Sequence, residues 1–299
     1  MRICCIINSH SGTAGKASRS QLVELFAKHG VTPEILEPKD GVSIADLAKD
    51  SIGKGFDIIV AGGGDGTINA VASAMVGNKD KKLGILALGT LNHFARDVGV
   101  PIEIEEAVKA IVAGYVKTVD VGEVNGRIFL NNSCLGLYPA MVRLRESLQK
   151  SGYRKFPALL RASFHVLIRF RRLYLELHPS AGPTLRRDTP VLFIGNNAYD
   201  TSLTQLGTRP SMDQGKLWIM MPSASTRWSL LVSVFAILAG REKTSDVVTF
   251  EGPDLIVASR HRRLKVAADG EVLHLKPPLN YRLRPKSLRV IVPADIRTE

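Results

Sequence analysis

Cysteine, aromatic residues, acid relative to base and long apolar runs are all scarce in this chain, and each shortage removes a class of protein. Cys4, Cys5 and Cys134 are the only cysteines among 299 residues. An odd count without metal-ligand spacing speaks against a disulfide framework or a cysteine-held zinc. All three sit in apolar, strand-like segments, which points to buried free thiols in a reducing compartment. Aromatics make up 6% of the sequence, and no stacking platform for nucleic acid can be traced in it. The longest apolar run, 230–239, falls well short of the ~20 residues that span a bilayer. The apolar residues before Asn8 are too few for a signal h-region. These absences lead to the expectation of a cytoplasmic protein, at most peripheral to a membrane. Acids number 28 against 40 Lys and Arg, a formal charge of +12. Such an excess calls for anionic partners, either an acidic lipid surface or a phosphorylated substrate once nucleic acid is set aside. Internal repeats and low-complexity segments are absent too.

Two familiar phosphate loops are also missing. A P-loop reads G-x-x-x-x-G-K-[ST], but around Gly15-Lys16 the first glycine position holds His10, and Ala17 stands where Ser or Thr is required. The dinucleotide fingerprint G-x-G-x-x-G fails as well, since Gly62 and Gly64 are followed by Thr67, and Gly64 and Gly66 by Asn69.

In their place stands Val60-Ala61-Gly62-Gly63-Gly64-Asp65-Gly66-Thr67-Ile68-Asn69. An apolar run leads into it, and Ile68, Val71, Ala72 and Met75 follow at helical spacing, so the stretch reads as strand, tight glycine turn, helix. Glycines permit close backbone approach, and a helix N-terminus offers unpaired amides at the positive end of its dipole; together they can hold a phosphate. Asp65 places a carboxylate within that anion cradle, as an organiser of cation or proton or simply as a helix cap.

Other elements follow in order. A strand over 2–7 leads to the polar loop Asn8-Ser9-His10-Ser11-Gly12 and a helix over 20–29; a strand over 32–36 and a helix over 44–49 come next. A strand over 82–88 ends in Gly89-Thr90-Leu91-Asn92-His93-Phe94-Ala95-Arg96. This alternation predicts an α/β domain with a parallel sheet, helices on both faces and ligands at the carboxyl ends of the strands. The loops at Asn8, Gly62 and Gly89 would then share one edge. From about Val119 short strand-like runs separated by Gly, Pro and Asn predict a β-rich second domain, with strands over 119–124, 127–132, 174–178, 190–195, 217–221, 247–250, 254–258 and 264–267. The expected boundaries are 1–120, completed by 286–299, and 121–285. Between Arg143 and Arg172 nine basic residues face one acid, Glu146, with apolar residues interspersed. A basic amphipathic helix of this kind suits an anionic membrane surface or packs on its own domain. Arg260-His261-Arg262-Arg263 reads as a polar hairpin turn.

Four motifs in order resemble the diacylglycerol kinase catalytic domain family, which includes bacterial lipid kinases and the sphingosine and ceramide kinases. Gly63-Gly64-Asp65-Gly66-Thr67 is similar to its nucleotide loop, and Asn8-Ser9-His10-Ser11-Gly12 to its Asn-Pro-x-Ser-Gly loop. Gly89 to Arg96 is similar to its Gly-Thr-x-Asn-Asp-x-Ala-Arg segment, and Ala268-Asp269-Gly270-Glu271 to its Asp-Gly-Glu motif. The resemblance implies an α/β nucleotide domain plus a C-terminal β-sandwich with MgATP between them, and transfer of the γ-phosphate to a lipid hydroxyl. Carried over, Asn8, Ser11, Gly63, Gly64, Asp65, Gly66, Thr67, Asn69, Thr90, Asn92 and Glu271 would serve ATP. Asp120 and Asp213 would serve Mg²⁺, and Asp269 would be the general base, with Asp65 as second choice. Read from the residues alone, Asp269-Gly270 between Val266 and Val272 is also a strong hairpin signal.

Two departures stand out. Where the family has Asp-Asp-Gly-x-Leu-Asp, this chain has Asp213-Gln214-Gly215-Lys216-Leu217-Trp218, which costs a hard cation an anionic ligand. His93 also replaces the aspartate after Asn92. The expected function is therefore an ATP-dependent lipid kinase acting on a diacylglycerol-like alcohol at the membrane face. An NAD kinase-like enzyme and a catalytically impaired nucleotide or lipid binding member are the alternatives.

Overall fold

The computed structural model describes residues 1–8, 18–39, 41–136, 172–200, 208–222 and 247–294. Ser11, most of the basic segment from 143 and the apolar run 230–239 lie outside the described residues. The chain divides into two compact units. The first comprises Met1–Val121, Pro210–Gly215 and Arg284–Glu299; the second comprises Gly122–Arg209 and Lys216–Leu283.

In the first unit β1 (Ile3–Ile7), α1 (Arg19–Ala27), β2 (Glu34–Leu36), α2 (Ile44–Gly53), β3 (Ile58–Gly63), α3 (Asp65–Met75) and β4 (Lys82–Ala87) alternate as the apolar patterning requires. Two short helices, α4 (His93–Val98) and α5 (Ile104–Ala113), lead to β5 (Val116–Val124). The strands lie in the order β2-β1-β3-β4, all parallel, with Ile3 opposite Ile58 and Ile58 opposite Lys82. Every residue of β1 and β3 is buried, the signature of a sheet covered on both faces. Leu22 and Phe26 of α1 and Val108 and Ile111 of α5 close over Ile3, Cys5, Ile58 and Val60. Fully burying an aliphatic side chain contributes roughly 1.5–3 kcal/mol, so this layer accounts for much of the unit's stability. The α5 helix has a signal that short-range patterning overlooks: Ile104, Val108 and Ile111 at helical spacing, closed by Gly114 at φ 73°.

The second unit is a β-sandwich. Strands β6 (Arg127–Phe129), β7 (Asn132–Gly136), β8 (Leu173–Pro179), β9 (Leu185–Thr189), β10 (Val191–Asn196), β11 (Leu217–Pro222), β12 (Val247–Gly252), β13 (Asp254–Ser259), β14 (Leu264–Ala268) and β15 (Glu271–Leu275) are followed by the long β16 (Leu279–Ile291). One antiparallel sheet runs β12-β11-β10-β7-β14-β15. Facing it, β13 pairs antiparallel with β8 and with the first residues of β16, and β8 pairs with β9. Leu135, Leu192, Ile194, Ile219 and Val266 of the first sheet pack against Leu175, Leu177, Leu255, Val257 and Tyr281 of the second. The final residues of β16 belong to the first unit, where Val290 lies parallel to Leu83.

Local departures have identifiable causes. The single strand expected over 127–132 is two, because Leu130 and Asn131 leave the ladder. Arg260 to Arg263 are exposed as expected, but they join β13 and β14, which lie in different sheets, so the turn is not a hairpin. The three cysteines are buried and unpaired, and burial pushes the Cys5 and Cys134 thiols far up.

Candidate functional site

The parallel order β2-β1-β3-β4 reverses direction between β1 and β3, and crevices at such a switch point, beyond the carboxyl ends of the strands, are where open α/β sheets bind ligands. The loops after β1, β3 and β4 leave from this edge and hold one another. Asn8 donates its backbone amide to the Gly62 carbonyl at 2.8 Å and its side-chain amide to Thr67 Oγ1 at 3.1 Å. Leu88 donates to the Gly63 carbonyl at 2.9 Å. A methyl group on Gly89 would lie 2.5 Å from Gly64 Cα, so the second and third loops touch backbone to backbone.

Gly64 is the N-cap of α3, with no side chain capping it. Thr67 and Ile68 donate to the Gly64 carbonyl, while the amides of Asp65 and Gly66 open the first turn, where no intrahelical acceptor exists. Nothing lies within 4 Å of where a Gly66 side chain would begin. These amides and the helix dipole make a cradle for an anion. The Asp65 carboxylate accepts from the Phe94 amide at 3.4 Å, so it caps the start of the neighbouring α4 rather than its own helix.

Asn92 is 2% exposed and left-handed at φ 52°, ψ 45°. Its Oδ1 accepts from the Gly89 amide at 3.0 Å, and its Nδ2 donates to the Ala87 and Gly89 carbonyls at 3.3 and 2.9 Å. An asparagine tolerates that backbone and satisfies the groups it exposes, so Asn92 shapes the third loop. Thr90 and His93 are exposed on it. Asn69 lies one turn along α3, where it accepts from the Ser73 hydroxyl at 3.1 Å.

Elsewhere in the first unit, Asp120 is fully buried. Its Oδ2 accepts from the Gly215 amide and its Oδ1 from the Lys286 amide, both at 2.8 Å. Its own amide donates to Met212, so one residue ties down both distant segments that complete the unit. Replacing Asp120 with Asn presents an NH₂ group to one of those amides. Chemical denaturation of the variant is expected to show a loss of about 1–3 kcal/mol. Asp213 is exposed and accepts from the Ser211 hydroxyl at 2.6 Å. Trp218 is buried in β11 beside Phe193 and Tyr199, with ring centroids 5.9 Å from each. Among the described residues no three or more His, Cys, Asp and Glu side chains come together in a group that could hold a metal ion.

The second unit contains a polar cluster that composition alone does not reveal. Asp269 and Gly270 form the two-residue turn between β14 and β15, with φ of 45° and 85°, as the hairpin signal predicts. The carboxylate is not left to solvent. Oδ2 accepts from the Leu130 amide at 2.7 Å, and Oδ1 from the Asn131 and Asn132 amides at 2.9 and 3.1 Å. Three successive amides form a nest around this carboxylate. Glu271, one step beyond the turn, is exposed. Behind the nest lie Asn131, Asn196, Asn197 and Arg209, all buried. Sequence reasoning did not single these out. The available signals were the pair Asn131-Asn132 interrupting an apolar run and Asn196-Asn197 ending another.

Comparison with known proteins agrees with the motifs. Residues 2–124 match the family model of the diacylglycerol kinase catalytic domain. A diacylglycerol kinase of Staphylococcus aureus (strain Newman) is 25% identical over 288 residues, covering 92% of this chain and 90% of the relative. A structure from Bacillus anthracis str. Sterne, assigned as a diacylglycerol kinase, superposes with a TM-score of 0.76 at 23% identity over 98% of both chains. A crystal structure of a diacylglycerol kinase from the same strain gives 0.70 at 20% identity, covering 99% of this chain and 98% of that one. The structures speak for the fold, and the family model and the curated relative support a kinase.

Proposed function

We propose that this chain, whose residues 2–124 match the diacylglycerol kinase catalytic domain model and of which 92% aligns with a curated diacylglycerol kinase, transfers the γ-phosphate of MgATP to the hydroxyl of a diacylglycerol-like lipid. The observation that carries this reading is the mutual grip of three loops at one sheet edge: Asn8 on Thr67, and Gly64 against Gly89. That grip fixes the α3 amides before any phosphate arrives. Phosphoryl transfer needs alignment and charge stabilisation more than covalent chemistry from the protein, and a prearranged cradle supplies both.

Residues divide the work by unit. In the first, the Gly64, Asp65 and Gly66 backbone and the Thr67 hydroxyl hold phosphate oxygens, with Asn8 and Thr90 beside them, Asn69 one turn along α3 and Asn92 as the loop former; Ser11 is given the same task from the sequence motif alone. Asp65 orders α4 and thereby the loop that begins at Gly89. Mg²⁺ would be held by the nucleotide phosphates, whose charge it would neutralise, with Asp120 and Asp213 as the side chains proposed to support it. In the second unit Asp269 accepts the hydroxyl proton as the lipid oxygen bonds to the γ-phosphorus and the bond to the β-phosphate oxygen breaks, releasing ADP. Glu271, next to the turn, is assigned to the nucleotide side of this step.

A lipid acceptor places the work at a membrane face, which a charge of +12 favours through attraction to acidic headgroups. No helix among the described residues is long and apolar enough to cross a bilayer. Purified protein incubated with MgATP and a total lipid extract is expected to yield a phosphorylated lipid identifiable by mass. Phosphorylation of NAD with no lipid product would replace this reading with the small-molecule kinase. Nucleotide binding without any product would replace it with a binding module.

A further inference from the structure

We propose that Arg209 is a positioning residue for Asp269, acting through the peptide groups of residues 130–132. The guanidinium is 4% exposed. Its Nη1 donates to the Leu130 carbonyl at 2.6 Å and to the Asn196 carbonyl at 3.2 Å, and its Nη2 donates to Asn131 Oδ1 at 2.7 Å. The Tyr199 ring lies 5.5 Å from it.

The Leu130 carbonyl and the Asn131 amide are the two ends of one peptide group. Arg209 and Asn196 Nδ2, at 2.9 Å, grip the oxygen end, and Asp269 Oδ1 takes the hydrogen end. The next peptide repeats the pattern. The Asn131 carbonyl accepts from the Tyr199 hydroxyl at 3.0 Å and the Asn196 amide at 2.9 Å, and the Asn132 amide donates to the same Oδ1. Two peptide groups therefore connect a buried cation and its polar neighbours to the carboxylate. Hydrogen bonds in such a chain polarise one another, and they strengthen as the dielectric falls. A guanidinium is needed because its planar fork reaches Leu130 and Asn131 at once, which a lysine ammonium cannot do in the same geometry. Tyr199 owes its place to Gly195, where a side chain would begin 2.7 Å from the ring. The cluster also explains why the expected strand over 127–132 breaks: residues 130 and 131 turn their carbonyls to Arg209, Asn196 and Tyr199 and their amides to Asp269.

The inference rests on Asp269 being the base, and it is tested by two independent measurements. In ¹H–¹⁵N spectra the Asn131 and Asn132 amide protons are expected downfield in the wild type and shifted upfield in both Arg209→Met and Asp269→Asn. Spectra need no substrate. In lipid phosphorylation Arg209→Met and Arg209→Lys are expected to lower kcat about tenfold or more, with KM for ATP within about twofold, since a small misplacement of a reacting group acts on the chemical step. Adding Arg209→Met to Asp269→Asn is expected to cost little more, because both act through one unit. If Arg209→Met does not fold, Tyr199→Phe removes one hydroxyl from the same relay and is expected to move the Asn132 amide and lower kcat a fewfold. Unmoved amide protons in a folded Arg209 variant overturn the relay, and an unchanged kcat overturns its role in the reaction. Wild-type protein that phosphorylates no lipid defeats the kinase reading instead, while the spectra still decide the relay.

Discussion

Asp269→Asn is expected to lower phosphate transfer from labelled ATP into lipid by about 10²–10⁴-fold, the range that a positioned general base contributes. Nucleotide binding should stay near the wild-type value, because the loops proposed to hold phosphate belong to the first unit and Glu271 is left unchanged. The substitution keeps size and one oxygen. It cannot keep all three amide bonds, since the amide NH₂ faces a donor at Leu130 or at Asn131 and Asn132. A stability loss of about 1–3 kcal/mol should accompany the rate loss, and a melting curve separates the two. If the folded variant transfers phosphate at the wild-type rate, Asp269 is a turn residue and nothing more, and Asp65 takes its place as the base. A base held by three amides is well directed, and alignment is what phosphoryl transfer chiefly requires.

Gly89→Ala should disable the other half of the chemistry. The added methyl would sit 2.5 Å from Gly64 Cα and 2.6 Å from Asn92 Oδ1, and neither is the flexible end of a long side chain. Separation of the two loops tilts the start of α3 and frees the Asn92 side chain from the Gly89 amide. Overpacking of this sort costs about 1–3 kcal/mol in stability. The effect on turnover should be larger, about a hundredfold in kcat/KM for ATP, because misplacement of the phosphate cradle by an ångström acts directly on alignment. Steady-state kinetics against ATP, paired with a thermal melt, gives both quantities. A variant that melts lower yet turns over normally would show that the contact between Gly64 and Gly89 serves folding alone.

Much of the first unit is legible in the sequence because its information is local. Buried parallel strands announce themselves as continuous apolar runs, and helices by their spacing, so β1, β3, β4, α1 and α3 fall within a few residues of expectation. The glycine loop is legible for the same reason: few residue types allow a backbone to pass within contact distance of another. The Asp269-Gly270 turn is likewise a local matter, and it forms as the dipeptide predicts.

What a carboxylate or a cation does once the chain has folded is a different kind of information. Asp65, Asp120 and Asp269 look alike in the sequence as single acids between uncharged neighbours. Folding gives them separate partners: the Phe94 amide for the first, Gly215 and Lys286 for the second, and three amides at 130–132 for the third. Those partners lie up to 166 residues away, beyond the reach of periodicity or turn chemistry. Arg209 is the extreme case. It lies in a polar stretch with no motif and becomes a buried donor to Leu130 and Asn131 only when the sandwich closes. The amino-acid sequence by itself determined the α/β unit, the strand-rich remainder, the glycine loop and the positive charge, because local conformation and burial pattern follow from residue type. Tertiary structure alone decided which polar atoms meet, because a buried hydrogen bond is set by the whole path of the backbone between its partners.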